Sequence, residues 1–191
     1  MKKYTLLSAF LCLSFLAISQ SNSLLDFNQN RLQKQKTAMT ILGTWAIGNI
    51  AAGSILASRQ EGEAKYFNQM NAGWNAINLV IAGFGYYGAM KMDAAGLDLY
   101  GSIEEQYKIQ KILLFNAGLD IGYMLGGAYL IERSKNAADN PERLKGFGKS
   151  IVLQGGFLFA FDLITYFTLA ADNDQLQLLL SGDGVGVSLR F

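Results

Sequence analysis

Four long runs of apolar residues follow one another along the chain, separated by shorter charged stretches. They cover residues 37–58, 70–90, 112–131 and 150–171; the first two contain no charged residue, and each of the others contains one aspartate. Runs of about 20 residues with so few charges are typical of helices that cross a bilayer. A helix on the surface of a soluble protein would carry a polar face instead. The pattern predicts an all-α membrane protein with a four-transmembrane-helix bundle over residues 37–171.

The start of the chain has the pattern of a secretory leader. Lys2 and Lys3 precede an apolar stretch, residues 4–18, which ends in small polar residues. About 15 apolar residues fall short of the roughly 20 that span a bilayer, so an uncleaved first membrane helix is the alternative and not the main prediction. Residues 1–20 are predicted to be a signal peptide. Residues 21–36 are polar and are predicted to form a surface helix or linker that leads into the bundle.

The orientation in the membrane follows from the leader and not from the charges. Lysine and arginine residues are shared equally between the two sides of the predicted bundle, so the positive-inside rule gives no direction. A cleaved leader places both mature termini outside the cytoplasm. The predicted location is a bacterial cell envelope membrane, and the choice between inner and outer membrane stays open.

The tail, residues 172–191, has a different pattern. Residues 176–180 and 185–191 flank an Asp-Gly turn, and Val185, Val187 and Leu189 alternate with other residues in the second stretch. Alternation on either side of such a turn is typical of paired strands. The tail is therefore predicted to form a short β-hairpin or an extended segment.

Short matches relate the two halves of the chain. Gln35 and Lys36 recur 75 positions later as Gln110 and Lys111. If the halves are related, the bundle consists of two tandem helical hairpins in the same orientation. The matches are few, so independent hairpins stay open as the alternative.

Glycines at helical spacing mark one face of the third run. Gly118, Gly122 and Gly126 fall four residues apart. Small residues at this spacing let two helix backbones touch in lipid, so these three are predicted to be helix-packing residues. The same face would also suit contact with a second copy of the chain, and the sequence does not choose between the two.

Polar residues also recur at helical spacing, and they place an amide or a carboxyl group on one face of every predicted helix. Asn71, Asn75 and Asn78 lie at i, i+4 and i+7 in the second run, and Asn49 shares a face with Trp45 in the first. Together they predict a buried polar network: Asn49, Asn71, Asn75, Asn78, Asn116, Asp120, Tyr123, Asp162 and Tyr166.

Asp120 and Asp162 are the most costly members of this network. A carboxyl group near the middle of a bilayer costs roughly 2.5–3.5 kcal/mol on insertion scales. The runs contain no Lys, Arg or His, so the expected partners are asparagine amides, tyrosine hydroxyls and trapped water. In one interpretation these groups form interhelical hydrogen bonds in a structural or interaction protein, which is the leading hypothesis. In the other they line a passage in a small-solute, proton or cation carrier or channel.

The remaining composition argues against other functions. The 16 basic and 15 acidic residues nearly cancel, which disfavours nucleic acid as a partner. The chain contains no histidine, and its single cysteine, Cys12, lies in the predicted leader. No metal cage, nucleophile with its base or phosphate loop is recognisable, so no enzyme activity, metal or cofactor is expected. The expected partners are the lipid bilayer and either other envelope proteins or a second copy.

Three segments carry a resemblance to a known family. They are WNAINL at 74–79, FNAGLDIGY at 115–123 and QGGFLFAFDL at 154–163. With these segments the chain from about residue 35 to residue 171 resembles an uncharacterised family of small bacterial four-helix membrane proteins of unknown function. The resemblance implies the four-helix architecture and no catalytic residue.

Overall fold

The protein is a bundle of helices. The computed structural model describes the backbone of residues 2–182 and the side chains of residues 23–180. Over these residues the chain forms α1 (Lys2–Arg59), α2 (Gly62–Lys91), α3 (Leu99–Ser134), α4 (Pro141–Ala170) and α5 (Asn173–Gly182). The described backbone contains no strand. The prediction of an all-helical bundle is confirmed.

The four long helices form two antiparallel hairpins, α1 with α2 and α3 with α4. The hairpins are joined by α2 and α4, which run parallel: Gly146 lies against Glu63, and further along both helices Gln154 is hydrogen-bonded to Asn71. The backbones of α2 and α3 are not closely packed. The bundle thus consists of two tandem hairpins in the same orientation, with a gap between α2 and α3.

The connection between α1 and α2 lies beside the connection between α3 and α4, and a residue with a left-handed backbone is found at each. Gly62, which begins α2, has a φ of +58°, and a Cβ atom there would lie 2.9 Å from Glu142 Oε1. Glycine is favoured here because it adopts a left-handed backbone without steric cost. Asn140 also has a left-handed backbone, and Pro141 begins α4. Proline suits this first helical position because its missing N–H group would have no partner within the helix.

The helix-packing glycines are not the predicted ones. A Cβ atom on Gly118, Gly122 or Gly126 would meet no atom within 4 Å, so these residues lie on the outer face of α3 and the prediction that they pack inside the bundle is wrong. The close contact lies one residue further on, where a Cβ atom on Gly127 would be 2.7 Å from the backbone oxygen of Gly148. The face of α3 that turns inward is the one that carries Leu113, Ala117, Asp120 and Gly127.

The distribution of polar and apolar side chains is inverted relative to a soluble protein. Among the described side chains, the buried polar residues are at least as numerous as the buried apolar ones. Large apolar side chains are instead exposed along all four long helices, for example Ile47, Phe84, Phe115 and Ile164. Exposed apolar surface of this extent is unusual for a soluble monomer.

Two helical segments are long and apolar enough to span a membrane by length and composition, Ser23–Arg59 and Pro141–Leu180. The sequence predicted four such segments, so α2 and α3 do not meet the expectation. The reason is their polar residues, because the three asparagines at positions 71, 75 and 78 of α2 and Asn116 and Asp120 of α3 lower the mean hydropathy of these helices.

The two ends of the described chain are both helical. Residues 21–36 belong to α1, in keeping with the predicted N-terminal helix, and this helix has an exposed polar face with Gln29 and Gln33 and a buried face with Phe27, Asn28 and Arg31. Residues 176–180, predicted as a strand, belong to α5. Leucine and glutamine are good helix formers and none of these five residues is β-branched, which explains the helix. The second predicted strand, residues 185–191, lies outside the described residues.

Candidate functional site: a polar interior and a cavity between α2 and α3

Amide groups from three helices form a hydrogen-bonded cluster at the centre of the bundle. Asn71 Nδ2 donates to Asn49 Oδ1 at 2.8 Å, and Gln154 Nε2 donates to Asn71 Oδ1. The Trp45 indole Nε1 donates to Gln154 Oε1 at 3.0 Å. We call these four residues, Trp45, Asn49, Asn71 and Gln154, the amide cluster. It connects α1, α2 and α4 through polar groups that satisfy one another, with Asn71 and Gln154 buried and Trp45 and Asn49 half-buried.

The asparagine stripe continues along α2 from the amide cluster. Asn75 Nδ2 donates to the backbone oxygen of Asn71 at 2.8 Å, and Asn78 Nδ2 donates to Asn75 Oδ1 at 3.4 Å. All three asparagines are buried. The predicted spacing therefore does place them on one inward face of α2, and Asn78 lies at the end of the stripe that reaches the two aspartates.

The two aspartates face each other across the contact between α3 and α4. Asp120 is 3% exposed and Asp162 is 6% exposed, and their side chains lie within hydrogen-bonding reach of each other. Asp120 Oδ2 has no hydrogen-bond partner among the described residues. Two carboxylates this close repel, and one proton shared between them removes the repulsion.

These carboxyl groups line a cavity of about 600 Å³ between α2 and α3. Its floor is formed by α1 and α4, and none of the described residues that line it is a lysine or an arginine. Most of the lining is apolar. Its polar members are Gln35, Asn78, Asn116, Asp120, Tyr123 and Asp162, and Trp74 contributes an indole ring.

An aromatic pair bridges the gap at one end of this cavity. The rings of Trp74 on α2 and Tyr123 on α3 meet edge to face, with centroids 4.9 Å apart and an interplanar angle of 86°. At the other end the lining includes Gln35 of α1, whose Nε2 atom is buried and donates to none of the described residues. The cavity thus has an aromatic end and an amide end, with the two aspartates and the two asparagines between them.

The polar network predicted from the sequence has two parts, and the hydrogen bond between Asn78 and Asn75 joins them. Asn49, Asn71 and Asn75 belong to the amide cluster and its extension, whereas Asn78, Asn116, Asp120, Tyr123 and Asp162 line the cavity. Tyr166 joins neither group: its ring packs against Phe167 at 5.2 Å. The assignment of Tyr166 to the network was wrong. Tyr166 lies one helical turn from Asp162, but its ring contacts Phe167 and does not line the cavity.

Sequence reasoning missed Gln154, the residue that connects α4 to the amide cluster. Gln154 is fully buried within the fourth apolar run. An uncharged amide in an apolar run was the available signal, and it is the same signal that indicated the asparagines of α2.

A second polar cluster, also missed, lies at the α5 end of the bundle. Arg31 is fully buried, and its Nη2 donates to Asn28 Oδ1 at 3.2 Å while its Nε and Nη1 have no partner among the described residues. The negative charge of Glu105 acts on the buried Arg31 guanidinium. Asn28 in turn donates to Ser102 Oγ at 2.9 Å, which connects α1 to α3.

Comparison with known proteins places the chain in a family without providing an activity. No curated protein and no solved structure matches it. A family described as "Family of unknown function (DUF6992)" matches residues 41–163, a segment that contains the amide cluster and both aspartates. This agrees with the expectation of an uncharacterised family. Because the match covers more than half of the chain, the protein belongs to this family.

Proposed function

We propose that the protein is an integral membrane protein of the bacterial cell envelope, exported by the leader at residues 1–20, whose cavity between α2 and α3 binds a small ligand. The observation that carries this proposal is an open cavity of about 600 Å³ that reaches two buried carboxyl groups, one of which has an unpartnered oxygen. Pockets of roughly 300–1,000 Å³ with a few polar groups are typical of small-molecule sites.

The inverted distribution of side chains supports the membrane location. Lipid tails, unlike water, give exposed apolar side chains a favourable environment and leave buried polar groups to pair with one another. The helices α1 and α4 are apolar enough to span a bilayer. We extend the proposal to α2 and α3 because their exposed faces carry large apolar residues such as Ile77, Phe84 and Phe115.

A structural or interaction role is the second candidate, and the amide cluster favours it. Interhelical hydrogen bonds in membranes contribute on the order of 1 kcal/mol each and fix the register of helices. The amide cluster fits that role, since its side chains are paired with one another. The aspartates do not, because an acid with an unpartnered oxygen beside a cavity adds cost to the fold rather than stability. We propose no enzyme activity.

The chain contains two tryptophans, which allows a direct binding test. Trp74 lines the cavity, whereas Trp45 belongs to the amide cluster outside it. The variants Trp45→Phe and Trp74→Phe, each with one tryptophan left, are reconstituted in lipid nanodiscs and titrated with 2-(4-bromophenyl)ethanol, whose bromine quenches a tryptophan that it touches. We expect saturable quenching of Trp74 and only a linear, unsaturable decrease for Trp45.

A pair of matched isoleucines provides the control. Ile81 and Ile55 are both 53% exposed, but only Ile81 lines the cavity. In the Trp45→Phe background, Ile81→Phe should weaken the saturable quenching because the larger ring occupies cavity space, and Ile55→Phe should leave it unchanged. Linear quenching of both tryptophans in the folded protein would contradict a binding cavity.

A further inference from the structure

We propose that the ligand is an amphiphilic amine, with its ammonium group held by Asp120 and Asp162 and its apolar part in the rest of the cavity. This inference rests on the proposed function and specifies the chemistry of the same site. It is carried by two neighbouring acids at the wall of a largely apolar cavity, whose described lining contains no lysine or arginine.

The charge of the site matches a single ammonium group. Two adjacent carboxyl groups that share one proton carry one negative charge between them. No lysine or arginine among the described residues lines the cavity to neutralise that charge, and Asp120 Oδ2 lacks any partner there. Acids inside a membrane protein are typically paired or face a pathway for a cation. An ammonium group supplies the opposite charge and N–H donors for carboxyl oxygens of the pair.

Neighbouring groups suit the remaining donors of an ammonium, which has three N–H groups and no acceptor. Asn78 and Asn116 line the same cavity and can present amide oxygens to it. The rings of Trp74 and Tyr123 lie at its aromatic end, and the face of an aromatic ring attracts a cation. Both features favour a cation over an anion.

The apolar part of the cavity requires more than a small ion. Its lining includes Met39, Leu113, Leu158 and Phe161, which can contact a hydrocarbon or aromatic body. A metal ion fits poorly, because the described residues contain no group of three or more His, Cys, Asp or Glu that could hold one. The ligand is therefore an organic cation with an apolar body.

The position of the opening indicates how such a ligand enters. The gap between α2 and α3 is bordered by Ile77, Ile81 and Ile112, which line the cavity and are largely exposed. In a bilayer this border faces lipid. An amphiphilic amine concentrates in the membrane through its apolar part, so it can reach the acids from the side.

The test compares two compounds of the same shape, 2-(4-bromophenyl)ethylamine and 2-(4-bromophenyl)ethanol, in the Trp45→Phe protein. The nanodiscs contain only zwitterionic lipid, so that the amine does not accumulate on an anionic surface. We expect the amine to saturate the quenching of Trp74 at a concentration at least tenfold below that of the alcohol. Asp120→Asn and Asp162→Asn should remove most of this preference while leaving alcohol binding within about twofold, because an amide keeps the shape and the hydrogen-bonding capacity.

Asp139→Asn is the matched control, since Asp139 is exposed in the connection between α3 and α4, and it should leave the amine preference unchanged. Equal binding of amine and alcohol by the Trp45→Phe protein with both aspartates intact would overturn the amine inference but would still support a binding cavity. Equal loss of both compounds in the Asp120→Asn and Asp162→Asn variants would also overturn it. If neither compound saturates, the proposed function itself fails.

Discussion

At the scale of single residues, the side chains that matter are uncharged amides as much as the two acids. The sequence indicated Asn71, Asn75 and Asn78 through their spacing, and the structure buries all three. It did not indicate their partners, because Gln154 lies 83 residues from Asn71 along the chain and only the fold brings them together. A spacing pattern identifies a face of a helix but not what that face meets.

Replacement of Gln154 by leucine should therefore destabilise the protein. The change removes the acceptor of Trp45 Nε1 and a donor to Asn71, and a buried polar group left without its partner costs about 1–3 kcal/mol. The free energy of unfolding, measured by SDS titration in detergent micelles, reports this loss. Gln177→Leu, at an exposed position of α5, is the control, and an equal effect of both changes would argue against the amide cluster.

At the scale of helices, the sequence predicted the long elements well and their contact surfaces poorly. Apolar runs of about 20 residues indicated each long helix, but the structure extends every helix beyond its run, to between 30 and 58 residues. The rotation of each helix about its axis depends on which neighbour it meets. For α3 the contact with α4 is made through Gly127, whereas the predicted stripe through Gly122 lies outside.

Alanine substitutions separate the inner glycines from the outer ones. A Cβ atom on Gly148 would be 2.6 Å from the backbone oxygen of Gly127, so Gly148→Ala should force the two helices apart at a cost of about 1–3 kcal/mol. A Cβ atom on Gly122 would meet nothing within 4 Å, so Gly122→Ala should be neutral or stabilising by up to about 1 kcal/mol through helix propensity. The opposite order of stabilities would contradict the described α3 and α4 contact.

Ion pairs join the two hairpins at the ends of α2 and α4, outside the apolar runs. Glu63 is 2.8 Å from Lys145 Nζ and 2.5 Å from Lys149 Nζ, and hydrogen bonds from Lys145 and then Lys149 lower the pKa of Glu63 below its usual value. A lowered pKa in the folded state means that the stabilisation is complete above the unfolded pKa of about 4.3 and disappears as the pH falls through the folded pKa.

Glu63→Gln should thus lower the melting temperature at pH 7 and lose this effect in acid. Melting curves of the unsubstituted and Glu63→Gln proteins between pH 7 and pH 3 provide the comparison, with the two curves converging at the lowest pH. Glu104→Gln is the control, because Glu104 is exposed and forms no ion pair with the described residues. A difference that persists unchanged at pH 3 would exclude the ion pairs as its cause.

At the scale of the whole molecule, the described side chains show an inverted distribution, with polar groups buried and large apolar groups exposed. The interior is held by paired amides, the outer surface is apolar, and the gap between α2 and α3 gives access to the acids. The sequence predicted the helical architecture because hydropathy is a local property. It could not predict the cavity, because that space arises only where two tandem hairpins leave α2 and α3 apart.

The central claim is that α2 and α3, despite their lower hydropathy, present their exposed faces to lipid. Single cysteines at Phe84 and Phe115, which are 75% and 67% exposed, can carry a spin label in a Cys12→Ser background, with Tyr100 at 75% exposure near the start of α3 as the reference outside the apolar runs. We expect labels at positions 84 and 115 to be accessible to oxygen and shielded from a water-soluble nickel chelate, and a label at position 100 to show the reverse. Nickel accessibility at positions 84 and 115 equal to that at position 100 would contradict a four-helix membrane bundle.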